Sequence, residues 1–349
     1  MAFSLSIFPF SVELAGRSKC ELKEDVLVLT DSLYQGRKCG SERMVDLSAW
    51  IAGRFGQIGL EKYEGKRYLN FELSSGGIGR NVVGVMPGTS GKFIVVMAYY
   101  DALGVKDGAL YPGADSNASG VAVLLDVARL LMADEAGASL GTGAARSSSG
   151  FGSGTGTVGG SNGIGAGAAR CSSGRVTVDG LDGIDTGTSR SLSDRVGKCD
   201  GVIFVALDGH FDSYAGAQCL LRSIPREKIR MVVNLDTLGG STPVDKARPR
   251  YLLALGGEKY SRLFDRCTQA GKLYLYYEYY RSESFTRMFY RRLGDQTVFL
   301  DAGIRSIVFT SGISMDTNKP TDTADKLDYN ALRYRSLCIA RWINLVGRR

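Results

Sequence analysis

Residues 95–131 read VVMAYYDALGVKDGALYPGADSNASGVAVLLDVARLL, and the architecture turns on them. An apolar run ends in Tyr99, Tyr100 and Asp101. A loop follows, with glycines at 104, 108 and 113 and a second carboxylate at Asp115. From Ser119 onward apolar residues recur at helical spacing. A buried strand, a glycine-bearing loop and a helix make half of a parallel βα unit, and ligands gather at the carboxyl ends of such strands. The loop is furnished as if to hold metal. Yet it contains no histidine, and the whole chain contains one, His210.

The same alternation continues on both sides. Residues 44–60 have helical spacing and end in a Gly-Leu C-cap. KRYLNFEL (66–73), NVVGVMPG (81–88) and KFIVVMAYYD (92–101) read as strands, and the helix after the loop spans 119–132. DGVIFVALDG (200–209), IRMVVNLDTLGG (229–240) and IRSIVFTSG (304–312) are further buried strands, and 330–347 is a closing helix. A strand over 272–280 and a helix near 284–293 account for the tyrosine- and arginine-rich KLYLYYEYYRSESFTRMFYRR. Continuous apolar strands separated by helices predict an α/β fold whose largely parallel sheet is covered by helices on both faces. Its carboxyl ends would present Tyr99, Asp101, Asp208, His210 and Asp236.

At 349 residues and 44% hydrophobic, the chain can bury a substantial core. No apolar run reaches the roughly 18 residues of a membrane-spanning helix, so no transmembrane segment is expected. Residues 1–24 are apolar at first but lack a basic n-region, and read as a degenerate leader or a disordered terminus. The net charge of +7 is dispersed rather than blocked, which favours a solvated surface over a nucleic-acid site. Seven cysteines occur singly, with no zinc-ribbon spacing and at most a chance bridge such as Cys20–Cys39. Residues 136–199 are rich in Gly, Ser, Ala and Thr and cannot bury enough apolar surface to order themselves. They read as a flexible insertion within a single domain over 25–349.

Several stretches occur together in one order: GRKCGSERMVDLSAWIAGRFGQIGL, GRNVVGVMPG, the loop of residues 95–131, IFVALDGHFDSYAGA, MVVNLDTLGG, GDQTVFLDAGI and PTDTADKLDY. The set resembles the dizinc aminopeptidases of metallopeptidase family twenty-eight, which also includes glutaminyl cyclases and the non-peptidase relative nicalin. The resemblance covers about 25–135 and 200–345. It implies one α/β domain with a mixed, mostly parallel sheet, zinc as the family cofactor, and an exported protein of the cell envelope or exterior.

It also implies positions for a two-zinc site, and most of them have changed. A zinc-binding histidine would fall on Tyr99, two residues before the retained supporting carboxylate Asp101. The carboxylate bridging both metals would fall on Ser116, in GADSNASG. The general base and a metal-binding glutamate would fall on His210 and Phe211. Asp236 keeps its ligand position, and the last histidine would fall on Asn318 in TNKPTDT. Two close zinc ions need a shared carboxylate, flanking imidazole or carboxylate ligands and a base for the bridging water. A phenol, which ionises only near pH 10, replaces imidazole poorly, and phenylalanine not at all.

The resemblance therefore points to a non-catalytic relative that binds a protein or peptide or serves as a scaffold, with no cofactor expected. Nicalin likewise has a serine after GAD. Two hydrolytic alternatives remain: an active metal-dependent aminopeptidase, or a metal-free hydrolase using Ser116, His210 and Asp236 as a serine–histidine–acid triad. A third alternative is an all-oxygen site for Ca²⁺, Mg²⁺ or Mn²⁺ built from Asp101, Asp115, Asp208, Asp212 and Asp236. The plainer expectation for these aspartates is loop bracing and solvent exposure.

Overall fold

The computed structural model describes residues 12–141, 198–240, 247–268, 273–279 and 282–348. Two compact units partition the chain, residues 1–137 with 197–349, and residues 138–196. All but 138–141 of the second unit lies outside the described residues, and with it most of the expected insertion.

In chain order the described elements begin with α1 (Val12–Leu29), α2 (Arg43–Ile58), β1 (Tyr68–Glu72), β2 (Ile78–Met86), β3 (Phe93–Tyr99), β4 (Gly104–Lys106) and β5 (Ala109–Tyr111). There follow α3 (Ser119–Gly141), β6 (Gly201–Leu207), α4 (Ala215–Ser223), β7 (Ile229–Leu235), β8 (Tyr251–Leu255) and α5 (Ser261–Phe264). The last elements are β9 (Tyr274–Tyr276), α6 (Glu283–Arg292), α7 (Gln296–Asp301), β10 (Ser306–Thr310) and α8 (Tyr329–Gly347). Among the described residues eight strands form one mixed sheet in the order β1-β2-β6-β3-β7-β10-β8-β9, and β4–β5 is a separate hairpin. The centre, β6, β3, β7 and β10, is parallel. Antiparallel pairing attaches β2 to β6, β1 to β2 and β8 to β10.

The unbroken apolar strands are explained by burial on both sides. Along β3, Ile94, Val96 and Ala98 join the larger core, with α2, α3 and α8. Val95, Met97 and Tyr99 join the second core, with α4 and Phe299 of α7. Each large apolar side chain so buried is worth roughly 1.5–3 kcal/mol. In α2 the stripe Met44, Leu47, Ile51 and Phe55 faces the core, and Gly59, at φ 91°, ends the helix with its N–H on the Phe55 and Gly56 carbonyls.

Three features depart from expectation. The second half of the 1–24 stretch belongs to α1, which seats Leu22, Val26 and Leu29 in the core. Of the strand expected over 272–280, the described residues 273–279 form only the three-residue β9. The segment 114–134 is long and apolar enough to cross a bilayer, with mean hydropathy 1.3, but 83% of it is buried inside the domain. Its apolar surface is occupied by protein, so it serves as the core helix. Cys20 and Cys39 are both free thiols.

Candidate functional site

The carboxyl ends of the parallel strands converge as the topology requires, and β3 delivers the first residues. Tyr99, its last residue, is buried, and its hydroxyl donates to Asp236 Oδ1 at 3.3 Å. Asp236 follows the end of β7 and anchors its own N–H on the Phe309 carbonyl of β10 at 3.1 Å. Burial lifts the Tyr99 phenol well above its ordinary pKa, and the Asp236 and Asp295 carboxylates push the same way. It is a neutral donor at physiological pH.

His210, after β6, lies flat on Tyr99 with ring centroids 3.7 Å apart and planes 12° from parallel. Its Nδ1 meets Asp295 Oδ2 at 2.7 Å. Burial alone would depress the imidazole pKa, but Asp295, with Asp101 and Asp236, overrides it and lifts the value to about 9. Phe211 packs edge-on against the same stack and is 39% exposed. Asp101 lies beneath and accepts from the backbone N–H groups of His210 (3.1 Å) and Phe211 (3.3 Å). Desolvation and the Asp208 charge raise its pKa to about 7, while desolvation raises Asp236 to about 6.

Ser116 belongs to a different hydrogen-bonded group. Its hydroxyl donates to Asp322 Oδ2 and Asn318 Oδ1, each at 3.2 Å, and its N–H donates to Asp322 at 3.1 Å. Asp322 also takes the Asp115 N–H at 2.8 Å. Asn318 itself is exposed, with φ 59°. Ser116, His210 and Asp236 are therefore not linked as a triad: the serine is held by Asp322, and the acid on the histidine is Asp295. Nor do the five aspartates converge. Asp208 accepts from the Arg80 and Gly209 N–H groups, Asp212 from Ser74, and Asp115 from Gly239 N–H and Ser119 Oγ. Among the described residues no group of three or more His, Cys, Asp or Glu side chains stands in a metal-holding arrangement.

Two residues escaped the sequence reading although both lie in stretches quoted above. Asp295, in GDQTVFLDAGI, is fully buried and holds His210. Asp322, in PTDT, is 2% exposed and organises the Ser116 turn. Each sits beside, rather than at, a position that would touch metal, and only the folded chain brings it into place.

The comparisons agree with this architecture. A profile described as peptidase family M28 matches residues 81–140 and 188–343, more than half of the chain. No curated protein matches. The zinc aminopeptidase of Bacillus subtilis superposes with TM-score 0.59 at 10% identity, over 95% of each chain. The aminopeptidase of Aneurinibacillus sp. strain AM-1 superposes with TM-score 0.58 at 11% identity, over 96% of each chain. A Bacteroides thetaiotaomicron glutaminyl cyclase gives 0.54 at 15% identity, covering 95% of this chain and 97% of that one. At such identities the likeness concerns the fold, and the family profile supplies the lineage: the chain belongs to peptidase family M28.

Proposed function

We propose that this chain is a non-catalytic member of the peptidase family, with its fold kept for binding or scaffolding a protein or peptide. One observation carries the reading: where metal ligation is expected, Tyr99, His210 and Asp295 satisfy one another. Tyr99 donates to the one retained ligand carboxylate, Asp236. His210 spends Nδ1 on Asp295 and lies against the Tyr99 ring. Phe211 has no lone pair, and the Ser116 hydroxyl is engaged by Asn318 and Asp322. These side chains do not fit two zinc ions, which need a shared carboxylate and unprotonated donors on each side.

The test is hydrolysis of aminoacyl-nitroanilides with added zinc. The parent protein is compared with a quadruple variant, Tyr99→His, Ser116→Asp, Phe211→Glu and Asn318→His. The expected outcome is no zinc-dependent turnover in the parent and tighter zinc retention in the variant. Zinc-dependent turnover by the parent would overturn the proposal.

A further inference from the structure

A second constellation lies at the β8–β9 end of the sheet, and the pocket chemistry does not use it. The Tyr274 N–H donates to the Arg250 carbonyl at 3.0 Å, which joins the starts of β8 and β9. Arg248 stands over the Tyr274 ring, 5.0 Å from its centroid. Arg250 and Arg333 both stand over the Tyr334 ring of α8, at 5.3 and 5.7 Å. Arg248 and Arg250 are exposed, and Tyr274 is 37% exposed. None of the three arginines has a carboxylate partner among the described residues, and the Arg333 Nε is buried without an acceptor. Four other arginines pair with carboxylates: Arg54 and Arg129 share Asp25, Arg230 takes Asp200 and Arg348 takes Asp134, while the buried Arg37 and Arg335 grip backbone carbonyls instead.

We propose that the Arg248–Arg250–Arg333 cluster, mounted on Tyr274 and Tyr334, is a docking surface for an acidic peptide segment of a protein partner. A guanidinium held over a ring by cation–π attraction keeps its forked N–H donors for a planar bidentate acceptor. A carboxylate is such an acceptor. Two guanidinium groups sharing one ring repel each other, and an anion between them relieves that repulsion. The rings already carry guanidinium groups on their faces, which leaves little platform for the base stacking that single-stranded nucleic acid uses. A net charge of +7 adds long-range attraction for an acidic partner. The proposal stands whether or not the pocket hydrolyses peptides.

The experiment uses the full chain and fluorescence anisotropy with two labelled probes, a short alternating Asp/Glu peptide and a thymidine oligonucleotide of equal length. The peptide is expected to bind at low salt. Arg248→Gln with Arg250→Gln is expected to weaken it by roughly tenfold or more. Arg333→Lys, which keeps the charge but loses the planar fork, is expected to weaken it as well, and it decides the matter should the double variant fail to fold. Arg287→Gln with Arg291→Gln, on the exposed face of α6, is the control for general charge and is expected to leave affinity unchanged. Absence of peptide binding overturns the proposal. So does tighter binding of the oligonucleotide, or an equal loss in the α6 variant.

Discussion

Arg37, buried, and His210, partly buried, are two cationic groups near the same strand ends, and their partners are of opposite kinds. Arg37 is 1% exposed and donates only to backbone carbonyls: Tyr100 at 2.9 Å, Leu29 and Pro112 at 2.6 Å, and Gly113 at 2.7 Å. It ties the end of α1, the end of β3 and the loop before Ser116 into one piece. Burial brings its pKa down to about 10, against the pull of Asp322 and Asp101. Its partner Gly113, at φ 58°, has no room for a side chain, since a Cβ there would lie 2.6 Å from the Ser116 carbonyl oxygen and 2.9 Å from Arg37 Nη2. His210 instead meets side chains: a carboxylate, a tyrosine ring and a phenylalanine edge. The frame is thus held by one arginine side chain gripping backbone carbonyls, and the pocket by contacts of side chain with side chain.

The sharpest way to break that contrast is Arg37→Met, which strands three buried carbonyls and the part-buried one of Pro112. It is expected to cost about 4 kcal/mol or more in urea denaturation. A loss below about 1 kcal/mol would mean that the frame does not depend on the arginine.

His210→Gln is expected to cost less, about 2–3 kcal/mol, because it leaves the fully buried Asp295 without its cationic partner. Its pH dependence has a definite sign. The folded pKa of about 9 lies above the ordinary 6.5, so the stabilisation is complete below about pH 6.5 and is lost as pH rises through 9. Asp101 and Asp236, raised to about 7 and 6 from 3.8, act in the same direction at lower pH. Their protonation favours the fold near pH 4, and that benefit is lost as pH rises through 6 to 7. Stability should therefore fall with rising pH through both windows. With a single histidine in the chain, one set of imidazole NMR resonances reports the titration directly. Its midpoint is expected near 9, and Asp295→Asn should lower it sharply. A midpoint near 6.5 in the parent would show that the two groups are not ion-paired.

The smallest effect belongs to Tyr99→Phe. It removes one 3.3 Å hydrogen bond while keeping the ring on His210, and should change stability by less than about 1 kcal/mol in the same denaturation experiment. A loss as large as that of His210→Gln would place the weight of the pocket on the hydroxyl rather than on the stack.

Much of the frame was legible along the chain. The strands β2, β3, β6, β7 and β10 each carry a buried apolar run, because they are covered on both faces, so each stands out. The short β8 and the β4–β5 hairpin did not stand out, because three to five residues carry too little period. The helix α1 was hidden by a beginning that reads as a leader. In the pocket, Tyr99, Asp101, His210, Phe211 and Asp236 are legible from the sequence, and they lie near one another at or just beyond the ends of β3, β6 and β7. Ser116 and Asn318 are legible as well, but they form a separate group around Asp322.

By itself, the sequence determined the strand–loop–helix order, the two-sided burial of the sheet and the identity of each side chain at its carboxyl edge. Those are local matters, settled by the period of apolar residues and by what each residue can donate or accept. Which acid His210 would take was decided by the tertiary structure alone. Asp295 is 85 residues away along the chain and reaches the imidazole only once α7 packs beside the sheet. Asp322 meets Ser116 across 206 residues for the same reason. Hydrogen bonds are chosen by distance and burial in the folded state, and sequence separation carries neither.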